Sequence, residues 1–160
     1  DEVAPPYQLI DEQGREFALS DLRGKAVVLD FIFTRCAGPC PILTSSHVTL
    51  QRSLPREVAT RTHFVSISVD PEHDTPSDLR RYAKERGADL GSWSFLTGDA
   101  TTVHDVLKRY YVGTTPADGN LVHTVATYLI TPNGHIASLY MGLEHDPAHL
   151  LQDLKQLLKD

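Results

Sequence analysis

The sequence predicts an α/β fold: a mixed central sheet with helices on both faces and an N-terminal β-hairpin. Three observations carry this. Apolar runs of strand length, at 27–33, 63–69 and 93–96, alternate with stretches of helical periodicity. Thr131-Pro132-Asn133-Gly134 is a turn signal between two further strand-like runs. A leucine-striped helix then closes the chain. With 160 residues, no internal repeat and no linker, the reading is one domain over 1–160.

The elements follow in order. Residues 1–6 read as an irregular lead-in. The runs 7–10 and 16–19 flank Asp11-Glu12-Gln13-Gly14-Arg15, a turn-rich link that makes them a hairpin. Ser20-Asp21-Leu22-Arg23-Gly24 reads as one helical turn, capped by Ser20 and stopped by Gly24. The β-branched and aromatic run 27–33 is a buried strand. It leads into Cys36-Ala37-Gly38-Pro39-Cys40-Pro41, where Pro41 suits a first helical turn because its missing N–H costs nothing there. Leu43, His47, Leu50 and Leu54 then recur at helical spacing as far as Pro55. The run 63–69 is a strand closed by Asp70-Pro71. Thr75 caps the next helix, Pro76 opens it, Asp78 meets its positive end and Gly87 terminates it. A short strand at 93–96 precedes a helix over 101–111, stopped by Gly113, and then a polar loop over 113–120. Strands 125–130 and 136–141 form the hairpin. Asp146-Pro147 starts the last helix, with Leu150, Leu151, Leu154, Leu157 and Leu158 as its stripe.

Composition excludes some functions. The net charge is -6 and no long basic run exists, so nucleic-acid binding has no electrostatic support. No apolar stretch approaches the roughly 20 residues of a membrane helix. The chain opens at Asp1 rather than Met, so a mature or trimmed form is expected, from which a signal peptide or N-terminal anchor could have been removed.

Both cysteines lie in the strand–helix loop, at the strand end where open α/β sheets place ligands. A helix N-terminus also favours thiolate over thiol. Three readings stay open on spacing alone. A dithiol redox catalyst usually spaces its cysteines C-x-x-C, whereas three residues intervene here. A pair of thiolates suits Cu(I) or zinc. A small structural disulfide is the third reading, with little stabilisation from so short a loop. The order of elements also resembles peroxiredoxins, but those place a threonine three residues before the reactive cysteine, whereas Thr34 stands two before Cys36 and the upstream proline is absent, so a peroxidase fits poorly.

A metal needs a third ligand, and His123 is the best placed. It precedes the strand 125–130, which can lie beside the cysteine strand. Two sulfurs and one imidazole suit Cu(I) and can also hold Cu(II), whereas structural zinc would want a fourth ligand. The competing reading is a partly buried histidine satisfied by backbone. As a ligand, His123 would make affinity fall with pH through about 6 to 7. Asp70 could orient a ligand as an acceptor, or be a solvated carboxylate in an Asp-Pro turn. His47, His63, His73, His104, His135, His145 and His149 read as solvated or core. His145 and His149, one helical turn apart, could bind a metal weakly.

Taken together, three motifs resemble the Sco/SenC copper proteins. They are Phe31-Ile32-Phe33-Thr34-Arg35-Cys36 with Cys40-Pro41, then Ser66-Ile67-Ser68-Val69-Asp70-Pro71-Glu72-His73-Asp74-Thr75-Pro76, then His123 with Tyr128-Leu129-Ile130-Thr131-Pro132-Asn133-Gly134. The resemblance implies a thioredoxin-like fold and copper bound by Cys36, Cys40 and His123. It implies delivery of copper to the dicopper centre of cytochrome c oxidase, or reduction of the cysteines there. It also implies an extracytoplasmic setting, the bacterial periplasm, with an N-terminal membrane anchor. Ala37-Gly38 stands where the family usually has Pro-Asp, and Val122 where it usually has Asp. The expectation is a monomeric metallochaperone carrying one copper, as Cu(I) or Cu(II). It would hand the metal to the copper-receiving oxidase subunit, with Cys36 and Cys40 redox-active and kept reduced by a thioredoxin-like partner. The alternative is a thiol–disulfide oxidoreductase that reduces the cysteines of a partner protein.

Overall fold

The computed structural model describes residues 2–117, 120–143 and 145–159. Its main sheet has five strands in the order β5-β4-β3-β8-β9. These are β3 (Ala26–Ile32), β4 (Thr62–Ser68), β5 (Trp93–Leu96), β8 (Ala126–Ile130) and β9 (Ile136–Met141). β3, β4 and β5 run parallel, while β8 runs antiparallel to β3 and to β9. The sheet is therefore mixed, as expected. Every residue of β3 is buried, which is why it reads as an unbroken apolar run rather than an alternation.

The helices cover both faces. α1 (Pro39–Ser53) and α3 (Pro76–Arg86) connect strands that step the same way across the sheet. Right-handed crossovers put both on one face. The last helix, α5 (Pro147–Leu157), joins them there by packing on α1. α4 (Ala100–Arg109) steps back across the sheet, so it lies on the other face. Side chains of β3 show the division: Asp30 bonds His47 of α1, while its neighbour Phe31 packs on Tyr110 at the end of α4. The N-terminal hairpin, β1 (Gln8–Ile10) with β2 (Glu16–Ala18), is tied to the end of β5. Ile10 and Thr97 exchange both backbone hydrogen bonds, at 2.8 and 2.9 Å.

Several local expectations are corrected. The lead-in is held: the Ala4 N–H donates to the Gly134 carbonyl at 2.9 Å, Glu2 accepts from Ile136 at 2.8 Å, and Ala4 is buried. Ser20 caps nothing. The turn at Leu19–Leu22 is a 3-10 helix, and Asp21 accepts the Ala18 N–H at 2.9 Å. A short α2 (Arg56–Ala59) follows Pro55. α1 begins at Pro39, ahead of Pro41. The segment expected as a polar loop over 113–120 holds β6 (Thr114–Ala117) and the start of β7 (Asn120–His123), an antiparallel pair.

α4 ends at Arg109, and its stop residue is Tyr111, not Gly113. Tyr111 takes the left-handed conformation with φ 59°, and the Val112 N–H reaches back to the Leu107 carbonyl at 2.8 Å. Glycine normally fills that position, because a Cβ there costs roughly 1–2 kcal/mol. Tyr111 is 78% exposed, so replacing it loses little packing. Tyr111→Gly should raise stability by about 1 kcal/mol, seen as a higher urea midpoint at unchanged slope.

Candidate metal centre

The cysteine loop is built by the end of β3. The Cys36 N–H bonds the Phe33 carbonyl at 3.2 Å, turning the chain directly off the strand. α1 then opens with two prolines in its first three residues, neither of which has an N–H to satisfy. The one free donor between them, the Cys40 N–H, points at the Cys36 sulfur at 3.4 Å. Both cysteines are unpaired and buried. Burial pushes the Cys40 thiol well up. A bond with the Cys36 side chain adds to this, and a backbone contact at Phe33 offsets part of it. Cys40 therefore keeps its proton in the metal-free protein.

His123 closes the group. It ends β7 and is 8% exposed. Its Nδ1 lies 2.8 Å from the Thr124 carbonyl, which can only accept, so Nδ1 carries the proton. Nε2 is then the bare nitrogen, and it faces the Cys40 sulfur at 3.4 Å. Burial lowers the His123 pKa below the ordinary histidine value, with the Thr124 bond and the Asp30 charge opposing. The imidazole is neutral and aimed, as a ligand has to be. The edge of the ring packs against Phe33, with centroids 5.7 Å apart.

The three side chains touch in sequence, Cys36 to Cys40 to His123, rather than around one point. Among the described residues, no three His, Cys, Asp or Glu side chains already enclose a metal position. The donor types nevertheless fit a soft ion: two sulfurs, one lone-pair nitrogen and no hard carboxylate in contact.

Asp74 holds this geometry and has no role in the sequence reading. It is 2% exposed and accepts from the Thr34 N–H at 3.1 Å, the Thr34 hydroxyl, and the Ser68 hydroxyl at 2.7 Å. The loop that carries the cysteines is thereby fastened to the end of β4. On the other side, the Asn120 amide donates to the Arg35 carbonyl at 3.2 Å, fastening the hairpin that carries His123. The Ser-x-x-x-x-x-Asp spacing from Ser68 to Asp74 was visible, but only the fold shows that it meets Thr34.

Asp70 fits neither expectation. It is buried, not solvated, and it accepts from His73 at 2.9 Å and Arg35 at 3.5 Å rather than from a cysteine or His123. With His73, His104, Pro116 and Leu121 it lines an open cleft of about 400 Å³ beside Arg35. The His145–His149 pair does not form. His145 precedes the Asp146 cap of α5, and its Nε2 lies 3.1 Å from that of His47. His47 is a core histidine bonded to the buried carboxylate of Asp30 at 2.7 Å. An ionisable residue inside the apolar run 27–33 was the available signal for that pair.

Together the sheet order and the dithiol at the end of β3 define a thioredoxin-like protein with a cysteine–histidine cluster. The sequence profile of the SCO1/SenC family matches residues 1–159, and the chain belongs to that family. A SCO1/SenC family lipoprotein from Bacillus anthracis superposes with a TM-score of 0.89 at 30% identity, over 99% of this chain and 96% of that one. ScoI of Bradyrhizobium japonicum, in a structure with copper bound, gives 0.84 at 28% identity, over 98% and 99% of the two chains. BsSco, described as a member of the Sco family of cytochrome c oxidase assembly proteins with a disulfide switch, gives 0.85 at 28%, over 99% and 96%. The chain spans 80% of the SCO1 homolog of Bacillus subtilis, at 30% identity, and 52% of a bovine mitochondrial SCO2 homolog.

Removing the Asp74 carboxylate would orphan three donors, two of them on Thr34. Asp74→Ala should cost about 1–3 kcal/mol in denaturant unfolding. Amide exchange at residues 34–38 and at Cys40 should also accelerate relative to β3.

Proposed function

We propose that this protein carries one copper ion on Cys36, Cys40 and His123 and transfers it to the copper-receiving subunit of cytochrome c oxidase. The observation that carries the reading is the contact between Cys40 and the bare Nε2 of His123, 3.4 Å apart across 83 residues of chain. Membership of the SCO1/SenC family supplies the context, and a relative solved with copper bound supports the reading that this fold can hold the ion.

The chemistry follows from the donors. Binding would displace the thiol protons, so Cu(I) would take the place of the proton on the Cys40 sulfur that now faces His123. A partner thiolate can then enter and replace one ligand at a time. The two sulfurs also form a redox pair: joining them in a disulfide releases two electrons and two protons and removes both soft ligands. In an extracytoplasmic compartment such as the periplasm, a thioredoxin-like reductant would have to restore them. That setting accords with a lipoprotein relative. No helix among the described residues is long and apolar enough to cross a membrane, so a membrane anchor would lie outside them. The thiol–disulfide oxidoreductase reading uses the same cysteines and leaves His123 without a task.

Titration of the reduced protein with Cu(I) against a competing chelator tests the proposal. The expected result is one copper per chain, with little binding after oxidation of the dithiol. Equal binding by both forms would overturn it. His123→Ala should keep the fold and weaken Cu(I) by tenfold or more, about 1.4 kcal/mol, and should change or abolish the Cu(II) spectrum. A variant that loses stability with an unchanged copper spectrum would make His123 a core residue only.

The pH dependence is also specific. A proton on His123 competes with the metal, and burial holds its pKa below the ordinary value. The loss of affinity assigned to His123 should therefore begin below about pH 6.5, lower than an exposed histidine would give. Comparing His123→Ala with the parent across pH 4.5 to 7.5 reads out that difference.

A further inference from the structure

We propose that an uncharged apolar stripe, running from the metal centre along β9, is the docking surface for the copper-receiving protein. The recipient meets it with an uncharged apolar surface beside its own thiolates. This rests on the carrier reading and adds the chemistry of the partner to it. The first observation is in the sequence. Neither 36–51 nor 119–143 contains an Asp, Glu, Lys or Arg, although 22% of the chain is charged. Cys36, Cys40 and His123 all lie in these two stretches.

The fold turns part of the second stretch outward. Val122, next to His123, is exposed, and so are Leu139 and Met141. Met141 stands opposite Ala126, at the start of β8 just after His123, so this end of β9 lies at the end of the sheet that holds the cluster. Leu139 and Met141 project from one face of β9, while Tyr140 between them turns to Asp153 of α5. Leu139 lies opposite Tyr128, whose ring packs on Tyr110 at the end of α4. Leu139, Tyr110, Tyr111 and Tyr128 line a cleft of about 160 Å³. Glu2 and Arg109 line it too, with opposite charges, and Arg109 is paired with Asp105 at 3.1 Å.

Tyr111 is the second observation. It holds a left-handed backbone, φ 59°, that glycine would adopt without cost. What the tyrosine adds there is an exposed aromatic side chain at the end of the stripe. Backbone strain of this kind gathers at functional positions, and tyrosine is among the residue types that anchor interfaces. The occupant follows from the chemistry of the cluster. All three donors are buried, so a thiolate that exchanges for one of them has to be seated against the cluster by a surface that covers its surroundings. A charged surface would lose its water there and find no counter-charge in either stretch. An uncharged apolar one releases water from both sides.

The test measures binding of the Cu(I)-loaded full chain to the metal-free copper-receiving oxidase subunit, and reads copper transfer separately. Binding should change by less than about twofold between about 50 and 500 mM salt. Leu139→Lys and Met141→Lys should each weaken it by about tenfold with Cu(I) affinity unchanged, and Ile10→Lys, on the N-terminal hairpin, should not. Tyr111→Gly should weaken docking while raising the urea midpoint, a combination that damage to the fold cannot produce. Binding that falls steeply with salt, no binding by the parent, or equal binding by the three stripe variants overturns the proposal. Self-association of the parent that Met141→Lys abolishes would assign the stripe to a second copy and overturn it as well. Binding without transfer would sink the carrier reading and leave the stripe standing. Transfer that the stripe variants leave unchanged would do the reverse.

Discussion

The site depends on one buried carboxylate. Asp74 gathers the Thr34 backbone, the Thr34 hydroxyl and the Ser68 hydroxyl onto itself. The ends of two neighbouring parallel strands are thereby held at a fixed separation just where the chain leaves them. A loop of this kind would ordinarily be the softest part of an α/β edge. Here it carries two thiols whose relative placement decides whether they can act together. The bonds are charge-assisted and shielded from water, which makes them stronger than exposed equivalents.

Polarity inside α1's side of the sheet is organised by the same logic. Asp30 and Asp74 both sit in the interior: Asp74 is met by three donors, and Asp30 by His47 at one oxygen, its other oxygen having no partner. Asp30 orients His47 as Thr124 orients His123: in each case the bond at Nδ1 decides that Nε2 is the nitrogen presented. One nitrogen faces a thiol and the other faces a second imidazole. The same side chain type is thus prepared for two different neighbours by one backbone carbonyl and one carboxylate.

Much of the scaffold was legible. β3, β4 and β5 announce themselves because buried parallel strands are apolar throughout. α3 was legible to the residue, since Thr75, Pro76, Asp78 and Gly87 each perform a local capping task that the structure repeats. The hairpin of β6 and β7 was not. Thr114, Thr115 and Pro116 are exposed, so no alternation marks them. They pair because β7 needs a partner, a reason that lies outside their own sequence. The same holds at Tyr111, where tertiary packing of α4 imposes a conformation that the side chain disfavours. The lead-in is ordered by β9, far away in the chain.

The sequence alone determined the donors and the local frame: two cysteines at a strand–helix junction, with prolines that strip the helix start of N–H groups. Among eight histidines it singled out His123 by its place before a strand and by the motif resemblance, but it could not show what each ring touches. The tertiary structure decided that. Pairing of β8 against β3, with β7 folded in just before it, carries His123 to Cys40, while the turn after β9 carries His145 to His47 and away from His149. It also moved Asp70 off the site and put Asp74 under it. The reason is physical. Burial and long-range contact fix which nitrogen is bare, which carboxylate is partnered and which thiol keeps its proton, and none of these is a property of a residue and its sequence neighbours.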